Sequence, residues 1–493
     1  MNTPSNPIFD PSISALERYA PYLSAEDYQA LLTVIHEPAP IALRVNLLKS
    51  PDPAQAMAKW TNWYGWETSP VPFYSAGFQL KRYNTPPSQT IEHRLGYYYL
   101  QDAASMLPVA LFSPSNTPSL TLDMAASPGG KTTQLVDLNQ DHGLVIANDA
   151  SASRLPALKV VLQTWGALNT VITNYPGEKW GAWFPGTFDR VLLDAPCSME
   201  SLRASPSHPH RPITPDERSR LASRQLALLE SAVAAARIGG EIVYSTCTLA
   251  PEEDEAVLDA FLKAHPNVIQ VEPSPSRQLN TPGLAYFNGR VFDPQVAGSL
   301  RLWPHLYGTN GFFAALLTKI GAMPSSEVKQ PIREFAGTGL TRLSPAQTNQ
   351  LCGQIQSLYG FDLAAALETY QCTLYQRAAQ VWLIPEQYLN HFGSLPYAFL
   401  GFPLGKLIGS KLELSFEMVS RFGDAFNANI FVLLDEYFQD WLGGTDLRGL
   451  PLEGIEMGTV VAVRDKLGRN LGAGKALPNR LRNLLPSRSL ISP

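Results

Sequence analysis

Cysteine is scarce in this chain: four among 493 residues, Cys197, Cys247, Cys352 and Cys372. None forms a C-x-x-C pair, which argues against a disulfide scaffold and the common zinc frameworks. Cys197 and Cys247 with His208 and His210 match no common zinc-ligand spacing, so no metal is expected. Long apolar runs are also lacking, and none reaches the roughly 20 residues that span a bilayer. Met1-Asn2-Thr3-Pro4 has neither the basic nor the apolar region of a secretory leader. The expectation is a cytoplasmic protein without membrane contact, with no sign of an obligate oligomer and hence a monomer.

Net charge is small, -5, but unevenly placed. Residues 461–493 carry Arg464, Lys466, Arg469, Lys475, Arg480, Arg482 and Arg488 against Asp465 alone. A basic end on an acidic body predicts a local surface for a polyanion; the alternative is a solvated basic tail. Gly468, Gly472 and Gly474 read as turns in a folded unit. The cluster Trp60, Trp63, Tyr64 and Trp66 can stack on bases or fill the core of a small α+β unit, and the core reading is preferred.

The chain length allows several domains. Short helices are expected over 1–38, with Ser24-Ala25-Glu26-Asp27 as a cap. A strand over 41–48, a helix over 53–64 and a strand over 76–80 follow. From 119 the pattern alternates. Strands are expected at 120–122, 144–147, 170–173, 188–193 and 241–245, with helices at 131–136, 153–165 and from Pro215, the last stopping at Gly239-Gly240. Such alternation predicts a doubly wound, mainly parallel α/β sheet, with Phe312–Leu317 as its edge strand. Residues 322–345, rich in Pro, Ser and Gly, read as a linker. The expected division is 1–115, 116–322, 323–395 and 396–493.

Three motifs fall at strand ends, where open parallel sheets bind ligands. The first is the glycine turn Asp123-Met124-Ala125-Ala126-Ser127-Pro128-Gly129-Gly130-Lys131. It is not a Walker loop, which needs glycine where Ala125 stands. Asp149, ending the second strand, is placed to accept hydrogen bonds from ribose hydroxyls. The others are Asp194-Ala195-Pro196-Cys197-Ser198 and Tyr244-Ser245-Thr246-Cys247-Thr248. Either cysteine alone reads as structural; both beside a nucleoside pocket point to methylation of cytosine C5. That carbon is a poor nucleophile until a thiolate adds at C6. Asp194 can stabilise developing charge, Lys131 can add a positive field, and a second cysteine can assist elimination.

These residues resemble the Sun (Fmu) family of RNA 5-methylcytosine methyltransferases, and within it the bacterial RsmF type acting on 16S ribosomal RNA. Similarity extends to Arg44-Val45-Asn46, Tyr99 to Pro108, and Asn148 to Arg154. The resemblance implies a Rossmann-like methyltransferase core with an N-terminal α+β RNA-binding region and a C-terminal PUA-like α+β domain. It implies S-adenosyl-L-methionine held by Ala125, Ala126, Ser127, Pro128, Gly129, Gly130 and Lys131, with Asp149, Arg154 and Asp194. It also implies Cys247 as nucleophile, Cys197 for release, and Asp194 and Lys131 beside the reacting base. Three places depart from the family: Asn174-Tyr175-Pro176-Gly177 replaces an acid in the cofactor site, Met199 stands where the family has glycine, and Arg203-Ala204-Ser205-Pro206 lacks a lysine and an acid. Transfer RNA as target, or an RNA-binding assembly factor without catalysis, remain open alternatives.

Overall fold

A computed structural model describes residues 16–114, 117–200, 213–273, 279–324, 328–452 and 454–491. Arg203 to Pro206, His208 and His210 lie outside the described residues. In the N-terminal unit, Ser24 caps the helix Ala25–Val34 by accepting from the Asp27 amide. The strands β1 (Ala42–Val45), β2 (Glu67–Val71), β3 (Tyr74–Arg82) and β4 (Tyr98–Leu100) form an antiparallel sheet in the order β2-β3-β1-β4. The helix Pro53–Tyr64, capped by Asp52 and ended by left-handed Gly65, packs on it. Trp60 and Trp66 are buried in this small core, whereas Trp63 stays 37% exposed.

The central sheet is built on β5 (Ser119–Asp123), β6 (Gly143–Asn148), β7 (Thr170–Thr173), β8 (Phe188–Asp194) and β9 (Ala236–Thr246). These five are parallel, in the order β7-β6-β5-β8-β9. Both faces are covered by helices and loops: Val191, Leu193, Ile242 and Tyr244 join one core, Leu192 and Val243 the other. Then come β10 (Ile269–Val271), a short hairpin of β11 (Tyr286–Phe287) and β12 (Arg290–Val291), β13 (Leu300–Leu302) and β14 (Phe312–Lys319). Strand β14 lies antiparallel to β9 but is not the edge that was expected, because β10 and β13 pair along its far side. Its run Phe312–Leu317 is buried on both faces, which suits an interior strand.

The Gly239-Gly240 expectation is also corrected. The helix Pro215–Ala235 ends earlier, and the glycines belong to β9. Gly239 is left-handed, at φ +77°, and a Cβ on Gly240 would lie 2.9 Å from the Arg237 carbonyl oxygen. The pair therefore forms an irregularity against β8, where register shifts between Phe188 and Arg190.

Towards the C-terminus, β15 (Thr341–Arg342), β16 (Cys372–Arg377), β17 (Gln380–Pro385), β18 (Phe399–Leu400), β19 (Phe402–Ile408) and β20 (Lys411–Leu414) follow. All but β18 make one antiparallel sheet, with β17 beside β19. A boundary between 395 and 396 would cut that sheet, so 396–493 is not a self-contained unit. Strand β18 instead pairs with β7 and extends the central sheet. Nor is 322–345 a bare linker: Phe335 packs on Tyr375, and Phe392 nearby stacks on Phe188 of the central core. A last sheet holds β21 (Ile430–Val432), β22 (Leu447–Arg448), β23 (Val460–Arg464), β24 (Asn470–Leu477) and β25 (Arg480–Asn483). Its order is β21-β23-β24-β25-β22.

The basic end of the chain is not an unopposed cationic surface. Lys466 pairs with Asp435 at 2.8 Å, Arg480 with Asp446 at 3.2 Å, Arg488 with Glu417 at 3.5 Å, and Lys475 with Glu413. Arg469 pairs with Asp465, and Arg464 donates to the carbonyls of Gly423 and Phe426. The local charge excess is thus largely met by acids from earlier in the chain. Among the described residues no helix is long and apolar enough to cross a membrane, and no cluster of His, Cys, Asp and Glu could hold a metal ion.

Candidate active site

The three motifs converge at the C-terminal ends of β5, β8 and β9. Cys197 follows β8 and Cys247 follows β9, and their Sγ atoms lie 3.2 Å apart. Both sulfurs belong to partly exposed residues. Asp194, the last residue of β8, accepts from Lys131 Nζ at 2.8 Å through Oδ2 and from Ser245 Oγ at 2.8 Å through Oδ1. Lys131 Nζ also sits 5.4 Å from the ring centre of Phe312. Burial alone would lower the Lys131 pKa. Attraction to Asp194, then to Cys247 and Asp123, outweighs it, so the ammonium is held charged. For Cys197, the hydrogen bond with Cys247 comes first, then burial, then the charges of Cys247 and Glu253; all push its pKa well above the usual thiol value.

The Cys197 loop is fixed partly by groups the motifs do not contain, Gln225 and Glu253. Ser198 donates its amide to Glu253 Oε2 at 2.9 Å and its hydroxyl to Thr248 Oγ1 at 3.2 Å. Gln225, from the long helix, donates to Pro196 O and to Glu253 Oε2, both at 2.9 Å. Ser245, Gln225 and Glu253 were not singled out from the sequence. Glu253 belongs to the acidic run Glu252-Glu253-Asp254-Glu255 that follows Cys247, and it is fully buried. Met199 adopts φ +61°, a left-handed backbone where glycine carries no penalty, and its side chain is 48% exposed.

The glycine turn leads from β5 into the helix Gly130–Leu138 and includes a cis Ser127–Pro128 peptide. Gly129 is left-handed, and a Cβ on Gly130 would come 3.0 Å from Tyr99 Cε1. The left-handed backbone at Gly129 favours glycine there, and a side chain on Gly130 would press on the Tyr99 ring, alongside the expected approach of a ligand. Asp149 is nearly buried; its Oδ2 accepts from the Ser127 amide at 3.1 Å and its Oδ1 from the Ser151 amide at 2.9 Å. Arg154 donates to the Ser127 carbonyl and lies 3.6 Å from Asp149 Oδ2. Ala126 donates its amide to the Asn148 carbonyl, and the Met124 amide bonds to the Leu192 carbonyl, which seats Ala125 between β6 and β8.

Two buried oxygens at this turn, Asp123 Oδ1 and Ser127 Oγ, have no hydrogen-bond partner among the described residues. Unsatisfied buried oxygens beside a carboxylate at a strand end fit a polar ligand with hydroxyl and amine donors. Burial, opposed by the Thr132 hydrogen bond, pushes Asp123 up to about 7. At the departure from the family pattern, Asn174 Nδ2 donates to the Asp149 carbonyl at 2.6 Å, and Pro176 is exposed at the start of a short 3-10 turn.

The other similar blocks join the N-terminal unit to the core. Arg44, fully buried, bonds Asp137 Oδ2 at 2.5 Å, Thr133 Oγ1 at 2.5 Å, Gln101 Oε1 at 2.9 Å and the Gly130 carbonyl at 3.0 Å. Asn46 donates to the carbonyls of Gly96 and Trp165. The N-terminal unit thereby braces the helix that carries Lys131.

Two family models match this chain: 16S rRNA methyltransferase RsmB/F over residues 109–318, and the N-terminal domain of 16S rRNA methyltransferase RsmF over residues 14–103. The ribosomal RNA small subunit methyltransferase F of Erwinia tasmaniensis is 31% identical over 495 residues, covering 99% of this chain and 98% of that one. The protein of the same name from Psychromonas ingrahamii is 32% identical, covering 95% and 94%. Among solved structures, a methyltransferase homologue from Pyrococcus horikoshii superposes with a TM-score of 0.55 at 30% identity, over 64% of this chain and all of that one. NSun6 of the same organism, at 20% identity and a TM-score of 0.51, covers 62% of this chain and 97% of its own, and shares the fold. On its sequence, fold and strand-end site, the chain belongs to the ribosomal RNA small subunit methyltransferase F family.

Proposed function

We propose that this chain methylates cytosine at C5 in 16S ribosomal RNA through a covalent thiol adduct. The observation that carries the reading is the pair of sulfurs 3.2 Å apart beside the Lys131–Asp194 ion pair. Cys247 is the nucleophile and adds to cytosine C6, with Lys131 supplying positive charge next to it. Adduct formation makes C5 electron-rich. S-adenosylmethionine, the methyl donor, supplies an electrophilic methyl group when bound. Ala125 to Lys131, Asp149 and Arg154 would hold it, the acid taking the ribose hydroxyls. Asp194, oriented by Lys131 and Ser245, faces the base edge and steadies the charge that develops there.

Release needs the C5 proton to pass to solvent water while the C6–S bond breaks and its electron pair returns to the Cys247 sulfur. Cys197 gives its proton to that sulfur and is reprotonated from solvent. The flanking N-terminal and C-terminal units hold the RNA, the latter as a PUA-like domain, and the enzyme acts as a monomer.

The test combines labelled methyl transfer to small ribosomal subunits and to bulk transfer RNA with nucleoside analysis. Label in 5-methylcytidine from small subunits is the expected result. Cys247→Ala should abolish it, and Cys197→Ala should leave a covalent protein–RNA adduct. Full activity in both variants, or label confined to transfer RNA, overturns the reading.

A further inference from the structure

The acids after Cys247 turn inward rather than facing water. Glu253, Asp254 and Glu255 are all fully buried. Glu255 has a cation, with Arg301 at 2.6 and 2.7 Å. Asp254 accepts from Thr246 Oγ1 at 2.6 Å, and Arg301 stands 3.6 Å away. Glu253 has no cation in contact among the described residues. Both donors to its Oε2 come from around Cys197: the Ser198 amide, and Gln225 Nε2, which also holds the Pro196 carbonyl. Its Oε1 is buried without a hydrogen-bond partner among the described residues. Its own backbone carbonyl accepts from Tyr244 OH at 2.5 Å, tying it to β9, the strand that ends at the nucleophile.

A buried carboxylate without a counter-ion is costly. What it provides is a strut between the two cysteine loops, bonded directly to Ser198 after Cys197 and, through Gln225, to the Pro196 carbonyl before it. We propose that Glu253 is the positioning residue for adduct release, holding the Pro196–Ser198 backbone so that the Cys197 sulfur stays against the Cys247 sulfur. This rests on the covalent reading above. Two observations agree with it. The charge of Glu253 adds to the forces that keep the proton on Cys197. No hydrogen bond links Glu253 to Lys131, Asp194 or the glycine turn, so the attack step has no direct dependence on it.

The test separates attack from release. Glu253→Ala, Glu253→Gln and Cys197→Ala are each incubated with small ribosomal subunits and S-adenosylmethionine. Adduct is read on denaturing gels, product as 5-methylcytidine, and cofactor binding by calorimetry. Glu253→Ala should accumulate adduct and turn over about 10-fold more slowly, short of the roughly 100-fold or greater loss expected on removing a general acid itself. Its single-turnover adduct formation should remain close to that of the wild type. Glu253→Gln keeps an oxygen acceptor for Ser198 and should recover much of the release rate, which also guards against simple misfolding of the alanine variant. If Cys197→Ala traps adduct but neither Glu253 variant does, the assignment to Glu253 falls and the covalent reading stands. If Cys197→Ala traps none, the covalent reading falls and this assignment with it. Parallel loss of attack and release in both Glu253 variants, with cofactor binding intact, also overturns it.

Discussion

Met199 illustrates what single residues contribute near the paired cysteines. A non-glycine residue in the left-handed region costs about 1–2 kcal/mol, and an exposed methionine has little packing to offset that. Met199→Gly should raise unfolding stability by about 0.5–1 kcal/mol once the extra freedom of glycine in the unfolded chain is counted. Denaturant titration would read this; a loss of stability would mean the Met199 side chain makes a contact worth more than the strain. Asp123 carries a pH signature. Its folded pKa is raised, chiefly by burial, to about 7 from an unfolded value near 3.8. Between those values the unfolded chain has released the proton and the folded one keeps it, so stability falls as pH rises from about 4 to 7 and is level above. Asp123→Asn should lack that fall, and its stability relative to wild type should be greater at pH 8 than at pH 5. Both cysteines, Lys131, Asp194 and Asp149 were legible as residue types at strand ends. Glu253 and Gln225 were not, because nothing in a run of acids or a helix surface tells which member turns inward.

Elements were legible where periodicity and caps agreed. Thr214 and Pro215 mark the start of the long helix, and the five parallel strands lie where the apolar runs fall. The errors came from glycine and from brevity. Gly239-Gly240 reads as a helix stop, but the stop is set four residues earlier, where Ala236 pairs with Phe188. Strands β2 and β4 escaped notice because one contains Pro70 and the other is three residues long. Arg44 is the tie between elements that a sequence pattern cannot assign. Its pair with Asp137 is fully buried on both sides. Arg44→Met should destabilise the protein by about 3–5 kcal/mol, since Asp137 is left without its cation. Adding Asp137→Leu should restore at least half, as a matched apolar pair avoids the stranded charge. Equal stability of the single and double variants would show that the cost lies elsewhere, in Thr133 or Gln101.

At the scale of the whole molecule, the units are more interlocked than composition suggests. The central sheet borrows β18 from beyond residue 395, and the small sheet holding β17 continues into β19. Lys49 bonds the carbonyls of Leu95 and Thr164 and the Ser420 hydroxyl, joining three regions at one ammonium. A chain ending at residue 395 should therefore aggregate, because β7 and β17 would both present open edges. Size-exclusion chromatography of that truncation would check this, and a monodisperse product would argue that the edges are shielded in another way. The turns and strands at the end of the chain were legible in the glycine spacing of 468–474. Composition did not reveal that Glu413, Glu417, Asp435 and Asp446 lie beside the basic residues, since those contacts close only in three dimensions.

The pairing of β18 with β7 also bears on synthesis. Roughly 230 residues separate Ile172 from Phe399, and ribosomes add about 5–20 residues per second. Strand β14 ends at Lys319, so for roughly 4–16 seconds after it is made the methyltransferase sheet waits with Val171 and Ile172 on an unfinished border. Slower elongation through the intervening stretch should therefore raise the share of nascent chains lost to premature association through that edge.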